Sequence, residues 1–216
     1  MPFEELPTAP SSGSEGIGDR AKLIAKAVNE ITTLKREAPG RALDAAKEAG
    51  LKELQRQAVE MLQDSAEAAA QVAIGLQEFI PVLLSKLGFM DAINITKTAG
   101  LGFISDVQEW LSADDLMPDQ TMEHIITEIR KIVQEKNDPE LNAAWVKIEL
   151  TFQEAQAKSE KGLKLLNAYQ EQSLGQGLSA VEKKKLLNAA WGGAVDQLKE
   201  DWSEAVRQAH KIEDAL

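Results

Sequence analysis

The feature that most narrows the fold is a run of apolar and small residues spaced alternately three and four apart. Leu51, Leu54, Ala58, Met61, Ser65, Ala68, Val72, Gly75 and Phe79 keep this spacing without a break. An α-helix brings residues at that spacing onto one side, and a strand does not. Held for about four heptads, the pattern is the seam of a helix that packs lengthwise against another. The helix should start near Arg41, and Gly50 weakens its start without breaking it. Continuous to Ile80, it would be about 60 Å long at 1.5 Å per residue. Ser65, Ala68 and Gly75 are small enough to let a neighbouring helix come close.

The rest of the chain repeats the theme. Asp19 is an expected N-cap, followed by one face of Ile24, Ala27, Ile31 and Leu34, with Pro39-Gly40 as the stop. Asp119 or Thr121 should cap a helix striped by Met122, Ile125, Ile126, Ile129, Ile132 and Val133, ending at Asn137. Asp138-Pro139-Glu140 combines a cap, a proline at the first helical position and an acid in the first turn. From there Leu141, Trp145, Ile148, Phe152, Ala155, Ser159, Gly162, Leu166 and Tyr169 form a second long seam, to about Ser173. Leu174-Gly175-Gln176-Gly177 reads as a turn, and Ser179 with Glu182 as a capping box. The last helix carries Leu187, Trp191, Ala194, Leu198, Trp202, Ala205, Ala209 and Ile212.

No segment alternates as a strand would. The expected fold is all-α: an elongated antiparallel helical bundle of five to six helices, three of them long, around a central apolar helical hairpin. Residues 1–18, rich in Pro, Ser and Gly, read as a flexible N-terminal arm, and 19–216 as a single domain.

The hairpin is the unusual part. Val72 to Leu111 is the most apolar and least charged stretch of the chain. Pro81 should kink or break the long helix there. Two short apolar helices would follow, joined near Gly88 or near 99–102. Glu78, Lys86, Asp91 and Lys97 interrupt the stretch, so a transmembrane span of roughly 18 apolar residues is not expected. The start of the chain lacks the basic and apolar regions of a secretory signal. A cytoplasmic protein is the default expectation, with export by a signal-less route left open.

Composition limits the chemistry. A net charge of −11 argues against nucleic acid or an anionic membrane surface as an electrostatically driven partner, and suits solubility. With no cysteine, disulfide, thiolate and sulfur-ligated metal chemistry are out. Neither His124 nor His210 has an acidic residue three positions earlier, so the Glu-x-x-His pattern of di-iron bundles is missing. No nucleophile elbow or phosphate loop is present. Lys183-Lys184-Lys185 reads as a solvated face, and Asp114-Asp115 matches no calcium loop. The pattern implies no catalytic residue, no metal and no cofactor, and the chain reads as a non-enzyme. Trp110, Trp145, Trp191 and Trp202 all fall on apolar stripes and read as core, with an interfacial membrane anchor or an apolar pocket wall as the alternative.

Asp91-Ala-Ile-Asn94-Ile-Thr-Lys97 and Trp145-Val-Lys147-Ile-Glu-Leu150-Thr-Phe152 partly resemble the headgroup motifs of the glycolipid transfer protein family, an all-helical fold. The resemblance implies a sugar held by Asp91, Asn94 and Lys97 and stacked on Trp145. The departures are large. The Asp-to-Asn spacing is one residue short, a rotation of about 100° on a helix. Ile148 or Glu149 stands where that motif has arginine, and no histidine follows at a suitable distance. The chain is therefore not placed in that family.

Three functional readings remain. The first is a membrane-active or pore-forming protein that engages membrane lipid or a hydrophobic protein surface through 72–111. Its contact residues would be Phe79, Ile80, Leu83, Leu84, Leu87, Phe89, Leu101, Phe103 and Ile104. The second is a protein-interaction module, or a homo-oligomer, with 72–111 as buried core. The third is a carrier of lipid or another apolar ligand, which calls for a pocket of at least about 300 Å³ lined by those residues.

Overall fold

The computed structural model describes residues 15–33, 45–86, 109 and 116–214. Among them the chain is all-helical, with no strand. The helices are α1 (Glu15–Thr33), α2 (Ala45–Lys86), α3 (Pro118–Lys136), α4 (Pro139–Leu174) and α5 (Ala180–Asp214). One contiguous cluster of buried side chains draws on all five.

Local signals set the helix ends. Asp138 caps α4, its Oδ1 accepting the N–H of Glu140 at 2.9 Å and of Leu141 at 3.1 Å. Gly175 closes α4 in the left-handed region (φ 71°), where a side chain would be strained, and its N–H bonds to Glu171 O. At the start of α5 the capping box forms in full: Glu182 N–H donates to Ser179 Oγ at 3.3 Å and Ser179 N–H to Glu182 Oε2 at 2.7 Å. Asn137, left-handed at φ 50°, ends α3.

Two starts differ from expectation. Helix α1 begins at Glu15, four residues before the expected cap Asp19. Helix α3 begins at Pro118, with Gln120 Oε1 accepting the Met117 N–H at 3.2 Å, because proline at the first helical position needs no donor there. The expected start of α2, near Arg41, lies outside the described residues, which take the helix up at Ala45. Of the two outcomes expected at Pro81, a kink or a break, the break does not occur: α2 runs through the proline to Lys86. The proline's missing N–H leaves the Gln77 carbonyl without its usual partner. Gln77, Glu78 and Pro81 are all on the exposed side, where water can take that place. At 42 residues α2 is about 63 Å long.

Helices α2 and α4 run antiparallel. Going up α2, Leu62 meets Gly162, Ser65 meets Ala155, Gly75 meets Ile148, Phe79 meets Trp145 and Lys86 meets Asp138. A Cβ on Gly162 would sit 2.9 Å from Leu62 Cγ and 3.2 Å from the Ala58 carbonyl oxygen, so glycine is what permits this approach. Helix α5 lies against α2, α3 and α1, and α1 also against α2. The Arg20 side chain crosses α5 over Gly193, and Glu30 pairs with Lys185.

Candidate functional site

Four of the nine candidate contact residues fall on described helix. Phe79, Ile80, Leu83 and Leu84 are all buried on α2, in the same cluster as Trp145 and Ile148 of α4. The Phe79 and Trp145 rings lie 5.5 Å apart, tilted by 46°. Leu87, Phe89, Leu101, Phe103 and Ile104 lie outside the described residues, as do Trp110 and the Asp91–Lys97 motif.

The opposite side of this part of α2 is different. Ile74 and Val82 each keep 48% of their surface exposed, and Pro81 beside Val82 is exposed as well. An 18-residue window of α2 has a mean hydropathy of 1.4 and is half buried. By length and composition alone α2 could cross a membrane, which the expectation from sequence did not allow. A core helix of a soluble protein has the same composition.

Polar groups fasten the end of α2. Lys86 Nζ lies 3.0 Å from Asp138 Oδ2 and 3.2 Å from Glu140 Oε2. It thereby joins the C-terminus of α2 to the cap of α4. The Asp138 carboxyl is held below the usual carboxylate range, first by the Leu141 backbone N–H and then by Lys86. The Lys86 ammonium is raised, chiefly by its hydrogen bond to Asp138.

A second polar feature is buried. Trp191 Nε1 donates to Ser65 Oγ at 2.8 Å, and Ser65 Oγ donates to the Ala155 carbonyl at 2.8 Å. One serine hydroxyl thus joins α5, α2 and α4. The sequence offered Ser65 only as a small residue on a seam. Its hydrogen-bonding role becomes visible once Trp191 and Ala155 are known to meet there.

Trp145 is buried on the α2–α4 seam with its Nε1 lacking a hydrogen-bond acceptor among the described residues. That placement sets it at a tilt against Phe79 and keeps it off the surface where a sugar could lie. A groove of about 180 Å³ between α1 and α2 is lined by Arg20, Ile24, Asp64, Glu67 and neighbours. A depression of about 300 Å³ on α5 is lined by Lys199, Glu200, Ser203, Glu204 and Arg207. Neither is lined by a residue of 72–111. Among the described residues no group of three or more His, Asp or Glu could hold a metal ion. Comparison with protein-family models, with curated proteins and with solved structures finds no match to this chain.

Proposed function

We propose that the helices belong to one elongated, mostly antiparallel bundle of five or six, three of them long. In this reading it is a non-catalytic protein that engages a membrane or a hydrophobic partner through its apolar centre, 72–111. The supporting observation is the two-sidedness of α2: Phe79, Ile80, Leu83 and Leu84 point into the core, while Ile74 and Val82 face outward.

Magnitudes decide how the contact would be made. Withdrawing the four buried side chains would forfeit about 1.5–3 kcal/mol each. The sum, roughly 6–12 kcal/mol, is comparable to the whole stability of a domain. Insertion of α2 itself would therefore be coupled to unfolding of its neighbours. Contact through the outer side of α2, with the core left in place, carries no such cost.

The test is vesicle flotation and dye release, with neutral and anionic lipid at pH 7 and pH 5. Ile74→Asp with Val82→Asp should keep the thermal melt of the parent and lose flotation. Leu83→Asp should lose about 3–5 kcal/mol of stability, since it buries an unpaired charge. If the parent protein neither floats nor releases dye under any of these conditions, membrane engagement is ruled out. The second reading, a protein-interaction module with this part of α2 as plain core, would then stand. The burial of Phe79, Ile80, Leu83 and Leu84 favours it.

A further inference from the structure

Helix α4 has a second seam on its outer side. Ala143, Val146, Leu150, Gln153, Ala157 and Glu160 step three and four apart, and all are exposed. Val146 and Leu150 keep 52% and 60% of their surface in solvent. This stripe is separate from the inner seam of Trp145, Ile148, Phe152 and Ala155, which is buried. Beside it runs a row spaced by seven: Glu140, Lys147, Glu154 and Lys161, alternating in sign and all exposed.

Alternation at that interval has no use within one helix. Residues seven apart share a face but stand about 10 Å apart along the axis. Intrahelical pairs form at three or four. Charges alternating every heptad beside an apolar stripe are instead what fixes partner and orientation between two helices.

We propose that the outer face of α4 is a self-association surface, on which α4 of a second copy packs antiparallel. A two-fold axis near Leu150 and Thr151 places Lys147 opposite Glu154 of the second copy, and Glu140 opposite Lys161, each pairing occurring twice. Val146 then packs on Ala157 across the axis, and Leu150 packs beside Gln153. A parallel arrangement is disfavoured, because it sets Glu149 against Glu154. The other flank of α4 is already occupied by α3, where Arg130 pairs with Glu149. The intramolecular partners in the row are exposed side chains that can be shared: Glu140 also meets Lys86, and Glu154 meets Lys158. With few large apolar residues the interface is small, so the dimer is weak and transient. At physiological salt the Debye length of about 8 Å screens the repulsion between two acidic chains and leaves contact pairs in force.

Sedimentation equilibrium of the full chain at 0.15 M salt tests this, with circular dichroism melts to show that each variant folds. The expected result is a monomer–dimer equilibrium that Leu150→Glu abolishes. Lys147→Glu and Glu154→Lys should each weaken the dimer by about tenfold, since each turns two attractions into repulsions. The double variant K147E/E154K should restore it. A chain that stays monomeric up to about 1 mM overturns the proposal, that being far above where a specific surface would act. So does a dimer indifferent to Leu150→Glu, or a double variant no better than the singles.

Discussion

At the scale of single residues, the Ser65 hydroxyl has the largest consequence. It accepts from Trp191 and donates to Ala155, and both bonds are buried. Ser65→Ala removes one small atom and leaves the buried indole N–H of Trp191 without its acceptor, while the Ala155 carbonyl keeps its bond within α4. The expected loss is about 1–3 kcal/mol, measurable by urea denaturation. Gly162→Ala should cost a similar amount, about 1–3 kcal/mol, for the opposite reason: the added methyl meets Leu62 and the Ala58 carbonyl. Gly193→Ala should cost less, since the obstructing group is the far end of the Arg20 side chain. Residue identities were well legible on α4, where eight of the nine seam positions are buried as expected. The ninth moves from Tyr169 to Gln170, which is fully buried. Sequence spacing cannot separate two adjacent positions when the helix drifts against a strict seven-residue repeat.

At the scale of elements, α2 shows where a seam can be misread. The expected row through Ala58, Ser65, Val72 and Phe79 is buried. Its companion row is Leu62, Ala69, Leu76 and Leu83, all fully buried; of the expected companions Ala68 is buried too, while Met61 and Gly75 are only half-buried. Both choices are apolar or small, so the sequence alone gave no basis for choosing. The helix touches α1, α4 and α5 and buries a stripe wider than one seam. Pro81→Ala should stabilise α2 by about 1–3 kcal/mol, by returning a donor to the Gln77 carbonyl. Chemical denaturation would show it, and a loss of stability would mean that the proline ring itself supports the packing. The clasp at the end of α2 carries a pH prediction. The Asp138 carboxyl is depressed in the folded state. Its contribution to stability is present above the ordinary carboxylate value and disappears as pH falls through the lower folded value. Lys86 is raised, so its contribution is present below the ordinary ammonium value and disappears only in alkali. Melting temperatures should therefore show no effect of this clasp between about pH 5 and 8, and should fall below about pH 4. Asp138→Ala should abolish that acid-side contribution.

At the scale of the whole molecule, the helical class was readable because heptad spacing, caps and turns all agreed. The function was not, since no residue constellation specifies a reaction and the apolar centre is compatible with core and contact surface alike. On α2 one side is buried and the other exposed. The outer stripe of α4 is hard to see in the sequence because Val146 and Leu150 stand among charged residues and the buried seam beside them is far more apolar. The Ser65 junction also bears on how the chain reaches its fold. Its two hydrogen bonds join residues 90 and 126 positions apart in sequence. The turn between α4 and α5, 175–179, is far shorter. Closing the longer loops costs more chain entropy than closing that turn. A serine in the middle of three helices thus ties two packings to one hydroxyl: both bonds are made together only where α5 and α4 each sit in register on α2.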